Sequence, residues 1–229
     1  MIGIIGAMSI EVDAIKELMT DKTEQIFSGI TYVCGKLSGK EIVVAKCGIG
    51  KVSAAVCTQT MILEYSPTLI VNTGVGGSLS TELAIGDIAV ANAVVQHDMD
   101  TSALGDPVGY ISGLNVVEIP CDTDTVNAAL GCIESLGTVK GVAGTIASGD
   151  QFIADKAKKD AIVKNFGAIV CEMEGASVGH VCYMNGVKFA VVRAVSDCAD
   201  GSSHMDYAKF LPVAAANATE IIRRMVEIA

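Results

Sequence analysis

Carboxylates stand where apolar stretches of this chain break off. In "AIVCEMEGASVGHV", residues 168–181, a buried strand over 168–171 runs directly into Glu172, Met173 and Glu174. In "VVRAVSDCAD" an apolar strand carries Arg193 in its interior and ends on Ser196 and Asp197. "MIGIIGAMSIEVD" puts Glu11 just past the first strand. Acids grouped with one base at sheet ends suit proton transfers and the stabilisation of a cationic transition state, because such neighbours shift one another's pKa values and favour developing positive charge. A plainer reading stands beside it: a structural ion pair of Arg193 with Glu11, Glu172 or Glu174. Glu11 taken alone also reads as a solvated acid at a helix start.

Other motifs point to the same strand ends. "CGIGKVSAA" and "NTGVGGSL" are glycine-rich turns after buried strands. Either alone needs to be no more than a turn. Together they mark the carboxyl ends of strands, outside which ligands sit in open α/β sheets. "SGDQFI" sets Phe152 after a tight polar turn, either as ordinary core or as a platform on which a purine stacks. "GIIGAM" lacks the G-x-G-x-x-G spacing of a dinucleotide site. "GASVG" fits the G-x-S-x-G spacing of a nucleophile elbow, but no Ser/His/Asp order stands out beside it. His97, His180 and His204 read as structural residues.

The elements that must position these groups alternate along the chain. "MIGIIGAM", "ITYVCGKL", "EIVVAKCGIG", "TLIVNTGVGG", "GDIAVANAVV", "GVAGTIASGD" and "KFAVVRAVSD" read as strands. Helical patterns cover 51–64, 125–136, "DKAKKDAIVKNF" and a last helix with Leu211, Ala214, Ala215, Ala218, Ile222, Met225 and Val226 on one stripe. The alternation predicts an α/β fold, a single domain over 1–229 with a mixed, mainly parallel central sheet flanked by helices. Residues 97–115 form a long loop whose Leu104, Val108, Tyr110 and Ile111 need cover from the domain or from another subunit.

Composition narrows the function. The chain has 229 residues, of which 51% are hydrophobic, and a formal net charge of -10. Its only arginines are Arg193, Arg223 and Arg224, a poor footprint for nucleic acid. No apolar run is long enough to span a membrane, and no basic flank precedes the first apolar stretch, so a soluble, cytoplasmic protein is expected. The eight cysteines form no C-x-x-C pair and read as reduced core residues, so neither a structural metal nor a cofactor is expected.

Taken in order, "IGIIGAM..E", "GIGKV.AA", "NTG..G", "HD.D", "SGD.FI", "EME", "H.C", "VVRA.SD.AD" and "SH" resemble the nucleoside phosphorylase superfamily across nearly the whole chain. Within it the resemblance is to the 5'-methylthioadenosine/S-adenosylhomocysteine nucleosidases. It implies hydrolysis of an N-glycosidic bond, with Glu11 as general base to water and Asp197 as the acid that protonates the leaving adenine. Arg193 would help to hold the water and orient Glu11. Glu174 would bind ribose hydroxyls, with Glu172 and the Met173 backbone beside it. Phe152 would stack on the base, Ile153 would meet its edge through the backbone, and Ser196 would adjoin Asp197. Met8, Ile49 and Tyr207 would line the 5'-thio pocket. Thr101 and Leu104 would close the pocket of a neighbouring subunit, implying a homodimer.

Val75 stands where some members carry serine, Ser112 where a proline is common, and Leu104 and Tyr207 where some carry Phe. These changes bear on the 5' substituent and leave the acid and base in place. A free Asp has a pKa of about 3.9, so Asp197 is expected to be raised by burial or by nearby acids. Two rivals are a phosphorylase, which would need two or more cations for the phosphate dianion, and a non-catalytic nucleoside-binding protein. Retention of both Glu11 and Asp197 opposes the latter.

Overall fold

β-Branched apolar runs become strands, and the helices that separate them cover the sheet. The computed structural model describes residues 1–197 and 203–229, with side chains in the last helix from Tyr207 onward. Cys198, Ala199, Asp200 and the side chain of His204, all named above, lie outside the described residues. In chain order the elements are β1 (Ile2–Gly6), α1 (Ser9–Leu18), β2 (Thr20–Phe27), β3 (Ile30–Leu37), β4 (Lys40–Lys46), α2 (Lys51–Tyr65), β5 (Leu69–Ser78) and β6 (Ile88–Gln96). There follow β7 (Ile119–Pro120), α3 (Thr123–Leu136), β8 (Gly141–Ser148), α4 (Lys156–Phe166), β9 (Val170–Glu172), α5 (Gly175–Asn185), β10 (Lys188–Asp197) and α6 (Ser203–Ile228).

One mixed sheet takes in all ten strands. β4, β1, β5 and β10 run parallel, in that spatial order. β10 pairs with both β5 and β6, and β8 and β9 lead from β6 back to β5, so five strands close into a ring. β3 and β2 extend the other edge as an antiparallel hairpin. The carboxyl ends of β1, β4, β5 and β10 therefore open on one side, where ligands of such sheets sit.

The expected strands and helices all form, and two strands, β2 and the two-residue β7, are additional. β2, "TDKTEQIF", is exposed along seven of its eight residues and carries no apolar alternation to announce it. The α6 stripe is core: Ala214, Ala215, Ala218, Ile222, Met225 and Val226 are buried, joined by Ile221. In the 97–115 loop Ile111 is buried and Val108 packs on a core cluster, whereas Leu104 is 83% exposed. The domain covers part of its loop and leaves Leu104 bare. The seven described cysteines are free thiols, all but Cys34 buried. Among the described residues no helix is long and apolar enough to cross a membrane.

Candidate active site

A cleft of about 570 Å³ opens at the carboxyl ends of the parallel strands. Four carboxylates of the described residues line it: Glu11, Glu172, Glu174 and Asp197. No Lys, Arg or His is among its described lining residues.

Glu11 belongs to the first turn of α1 and folds back over the end of β1. Its Oε2 accepts the amides of Ala7 at 2.7 Å and Met8 at 2.8 Å, and Oε1 accepts the Val75 amide at 3.2 Å. The Met8 contact is the reach-back of a third helical residue to the cap amide. The expected turn at "NTGVGG" is instead part of β5, and its Gly74 supplies the space, since a Cβ there would lie 2.6 Å from Glu11 Oε1. Glu11 is only 4% exposed. Burial raises its pKa, against the opposing Arg193 charge and the three amides.

The two acids of "EME" have different surroundings. Glu172 ends β9 and turns into the start of α5. Its carboxylate accepts the amides of Glu174 at 3.0 Å and Gly175 at 2.8 Å, the Ser148 hydroxyl, and the guanidinium of Arg193. Burial opposes its charge, but Arg193 and these donors prevail and hold its pKa below the usual carboxylate range. Among the described residues Glu174 makes one such bond, from the Gly50 amide at 2.8 Å. Burial and the neighbouring Glu172 push it up to about 7. Glu172 is anchored; Glu174 is the acid left to meet a ligand.

Arg193 is 1% exposed and does not line the cleft. Its guanidinium donates to Asn72 Oδ1, to the carbonyls of Asn72 at 3.2 Å and Val192 at 3.0 Å, and to Glu172. Of the ion pairs open to it in the sequence, Glu172 takes the contact. Glu11 feels Arg193 through charge. The Asn72 amide donates to the Ile5 carbonyl at 2.9 Å, tying the pair to β1.

Asp197 sits at a break in strand register, where Val195 pairs with Gly76 and Asp197 with Gly77. The extra residue, Ser196, re-aims the strand end as a bulge does. Ser196 Oγ donates to Asp197 Oδ1 at 3.0 Å, and Asp197 is 2% exposed. A Cβ on Gly77 would come within 3.0 Å of Asp197 Oδ2, so glycine there admits the carboxylate.

Apolar groups complete the walls. Phe152 is 50% exposed, and its ring meets that of Tyr207 edge-on with centroids 5.6 Å apart. Tyr207 Oη donates to Met8 Sδ at 3.5 Å. Ile49, Ile153 and Met173 also line the cleft. Thr101 and Leu104 do not line it. Gln151 and Cys171 do, and sequence reasoning had not selected them. Gln151 lies inside the quoted "SGDQFI", so adjacency to Phe152 was the available signal. Among the described residues no group of three or more His, Cys, Asp or Glu could hold a metal ion.

The model of the phosphorylase superfamily matches residues 1–227. A protein of Shewanella halifaxensis (strain HAW-EB4) named 5'-methylthioadenosine/S-adenosylhomocysteine nucleosidase is 41% identical over 211 residues, covering 92% of this chain and 91% of that one. The chain belongs to the 5'-methylthioadenosine/S-adenosylhomocysteine nucleosidase family of the phosphorylase superfamily. A solved nucleosidase of that name, from Neisseria meningitidis in complex with methylthio-immucillin-A, superimposes with a TM-score of 0.96 at 31% identity, covering 100% of this chain and 99% of the other. The structure of a futalosine hydrolase of Helicobacter pylori strain 26695 gives a TM-score of 0.95 at 37% identity, over 100% and 97% of the two chains. The nucleosidase fold thus extends over the whole length, ring of strands included.

Proposed function

We propose that the protein hydrolyses the N-glycosidic bond of 5'-methylthioadenosine and S-adenosylhomocysteine, releasing adenine and 5-methylthioribose or S-ribosylhomocysteine. The observation that carries this reading is the charge of the cleft: four carboxylates line it, with no cationic side chain among the described lining residues. A phosphate dianion recruits cationic donors, so this lining favours water as the nucleophile over phosphate. It also suits the oxocarbenium-like charge that builds on the ribose as the bond breaks, stabilising the transition state more than the neutral substrate.

Glu11 takes a proton from the attacking water, and its raised pKa makes it a better base near neutral pH. Asp197 gives a proton to N7 of the departing adenine, so that the base leaves neutral. Glu174 binds the ribose hydroxyls as a carboxylate. Phe152 stacks on the purine and the Ile153 backbone meets its edge. Met8, Ile49 and Tyr207 form a soft, apolar wall suited to a thioether at the 5' carbon. Arg193 acts from behind the wall, pairing with Glu172 and lowering the pKa of Glu11 by its charge.

The whole chain works as one domain in a cytoplasmic homodimer, in which Thr101 and Leu104 close the partner's pocket. The bare Leu104 side chain supports this role. Adenine release by the wild type, Glu11→Gln and Asp197→Asn tests the assignment. Both variants are expected to fold and to lose about 100- to 10,000-fold in turnover, the usual worth of one general acid or base; wild-type rates in either would sink it.

A further inference from the structure

One side chain outside the cleft ties together two segments that reach it. Asp98, two residues past β6, binds Lys51 Nζ through Oδ1 at 2.6 Å and the Asp150 amide through Oδ2 at 2.8 Å. Asp150 Oδ1 in turn accepts the Lys51 amide at 2.7 Å. These contacts close a ring. Lys51 is tied further, with Nζ donating to Gln96 Oε1 at 3.3 Å and its carbonyl accepting the Ser177 hydroxyl at 2.6 Å. The side chains of Lys51 and Asp98 are only 20% and 16% exposed, which sets the pair apart from a screened surface ion pair.

Two parts of the site hang directly on this ring. Gly50, just before Lys51, donates its amide to Glu174. Gln151 and Phe152 follow Asp150 at the mouth of the cleft. There is little slack, because Gly50 has φ 97° and a Cβ there would lie 2.9 Å from Asp150 Oδ1.

We infer that Asp98 is a positioning residue for nucleoside binding: through Lys51 and Asp150 it fixes the Gly50 amide on Glu174 and Phe152 beside the base. The inference rests on the nucleosidase reading and extends it to a residue that touches no substrate. It has a signature that general loosening lacks. The Gly50 hydrogen bond favours the ionised form of Glu174, as does Arg193, against burial, Glu172 and Glu11. Cys47 and Tyr207 are the other titratable groups among the described residues that interact with it. Releasing the amide therefore makes Glu174 take up a proton at higher pH.

The experiment measures kcat and KM for 5'-methylthioadenosine against pH in the full-length wild type, Asp98→Asn, Lys51→Met and the double variant. Weakening a hydrogen bond to a charged group is expected to raise KM about 10-fold. The acid limb of kcat/KM should move to higher pH while kcat at high pH stays near wild type. Because both changes break one ring, the double variant should be no worse than the poorer single one. Wild-type KM and acid limb in the folded variants, multiplied losses in the double, or a fall in kcat with an unmoved acid limb would each overturn the inference. If Asp98→Asn does not fold, Lys51→Met alone decides by the same criteria. A wild type that releases no adenine would overturn the nucleosidase reading and this inference with it.

Discussion

Glu172 and Glu174 stand two residues apart at the end of one strand, and the first is locked to Arg193 while the second keeps a single hydrogen bond, from Gly50. Substitution should separate them. Glu172→Gln leaves the buried Arg193 without its counter-ion, and breaking such a pair costs about 3–5 kcal/mol. Its main effect is expected in denaturant unfolding. Glu174→Gln should spare the fold and raise KM.

The raised pKa of Glu174, about 7, sets a pH dependence. If the ionised form binds the ribose, kcat/KM falls as pH drops through about 7, and the titration of the rate measures it. Stability runs the other way. A carboxyl whose folded pKa lies above its unfolded value stabilises fully below the unfolded pKa and loses that contribution as pH rises through the folded one. For Glu174 the window is from about 4.5 to about 7. Glu174→Gln keeps an acceptor for Gly50 without the buried charge. It should unfold at higher denaturant than wild type at pH 8, by about 1–3 kcal/mol, and match it more closely at low pH.

Much of this site was legible because its acids interrupt apolar runs. Glu172, Glu174 and Asp197 stand out by position, Glu11 needed the family resemblance because alone it reads as a solvated helix-start acid, and all four line one cleft. What supports them was not legible. Asn72 sits inside one apolar strand and Ser148 ends another, with nothing in their spacing to pair them with Arg193 and Glu172, since those contacts span 121 and 24 residues. The sequence left Arg193 a choice of three acids, and only the sheet register decides it. β2 escaped notice because a solvent-facing edge strand needs no apolar face. The fold class was clear from alternation, whereas the closing of β10 onto both β5 and β6 depends on long-range pairing that no local pattern carries.

Gly74 should tolerate no side chain. A methyl group would meet Glu11 Oε1 at 2.6 Å and displace the base from the Val75 amide. Gly74→Ala is expected to lose turnover on the scale of Glu11→Gln, about 100-fold or more, with KM less affected. Equal turnover to wild type would show that Glu11 need not sit where it does.

Phe152 is half exposed beside the acids, as a stacking platform should be. Loss of base stacking on alanine substitution is worth about 1–3 kcal/mol, so Phe152→Ala should raise KM roughly 5- to 150-fold on that scale. Thermal unfolding should change little, because the ring contributes little to the core.

The attack of water, rather than phosphate, on the anomeric carbon follows from a cleft with no cationic side chain among its described lining residues. It is tested most directly by turning over 5'-methylthioadenosine in oxygen-18 water with inorganic phosphate present and weighing the sugar product. One oxygen-18 atom in free methylthioribose, formed at a rate indifferent to phosphate, is the predicted result. A sugar 1-phosphate, formed only when phosphate is supplied, would contradict it.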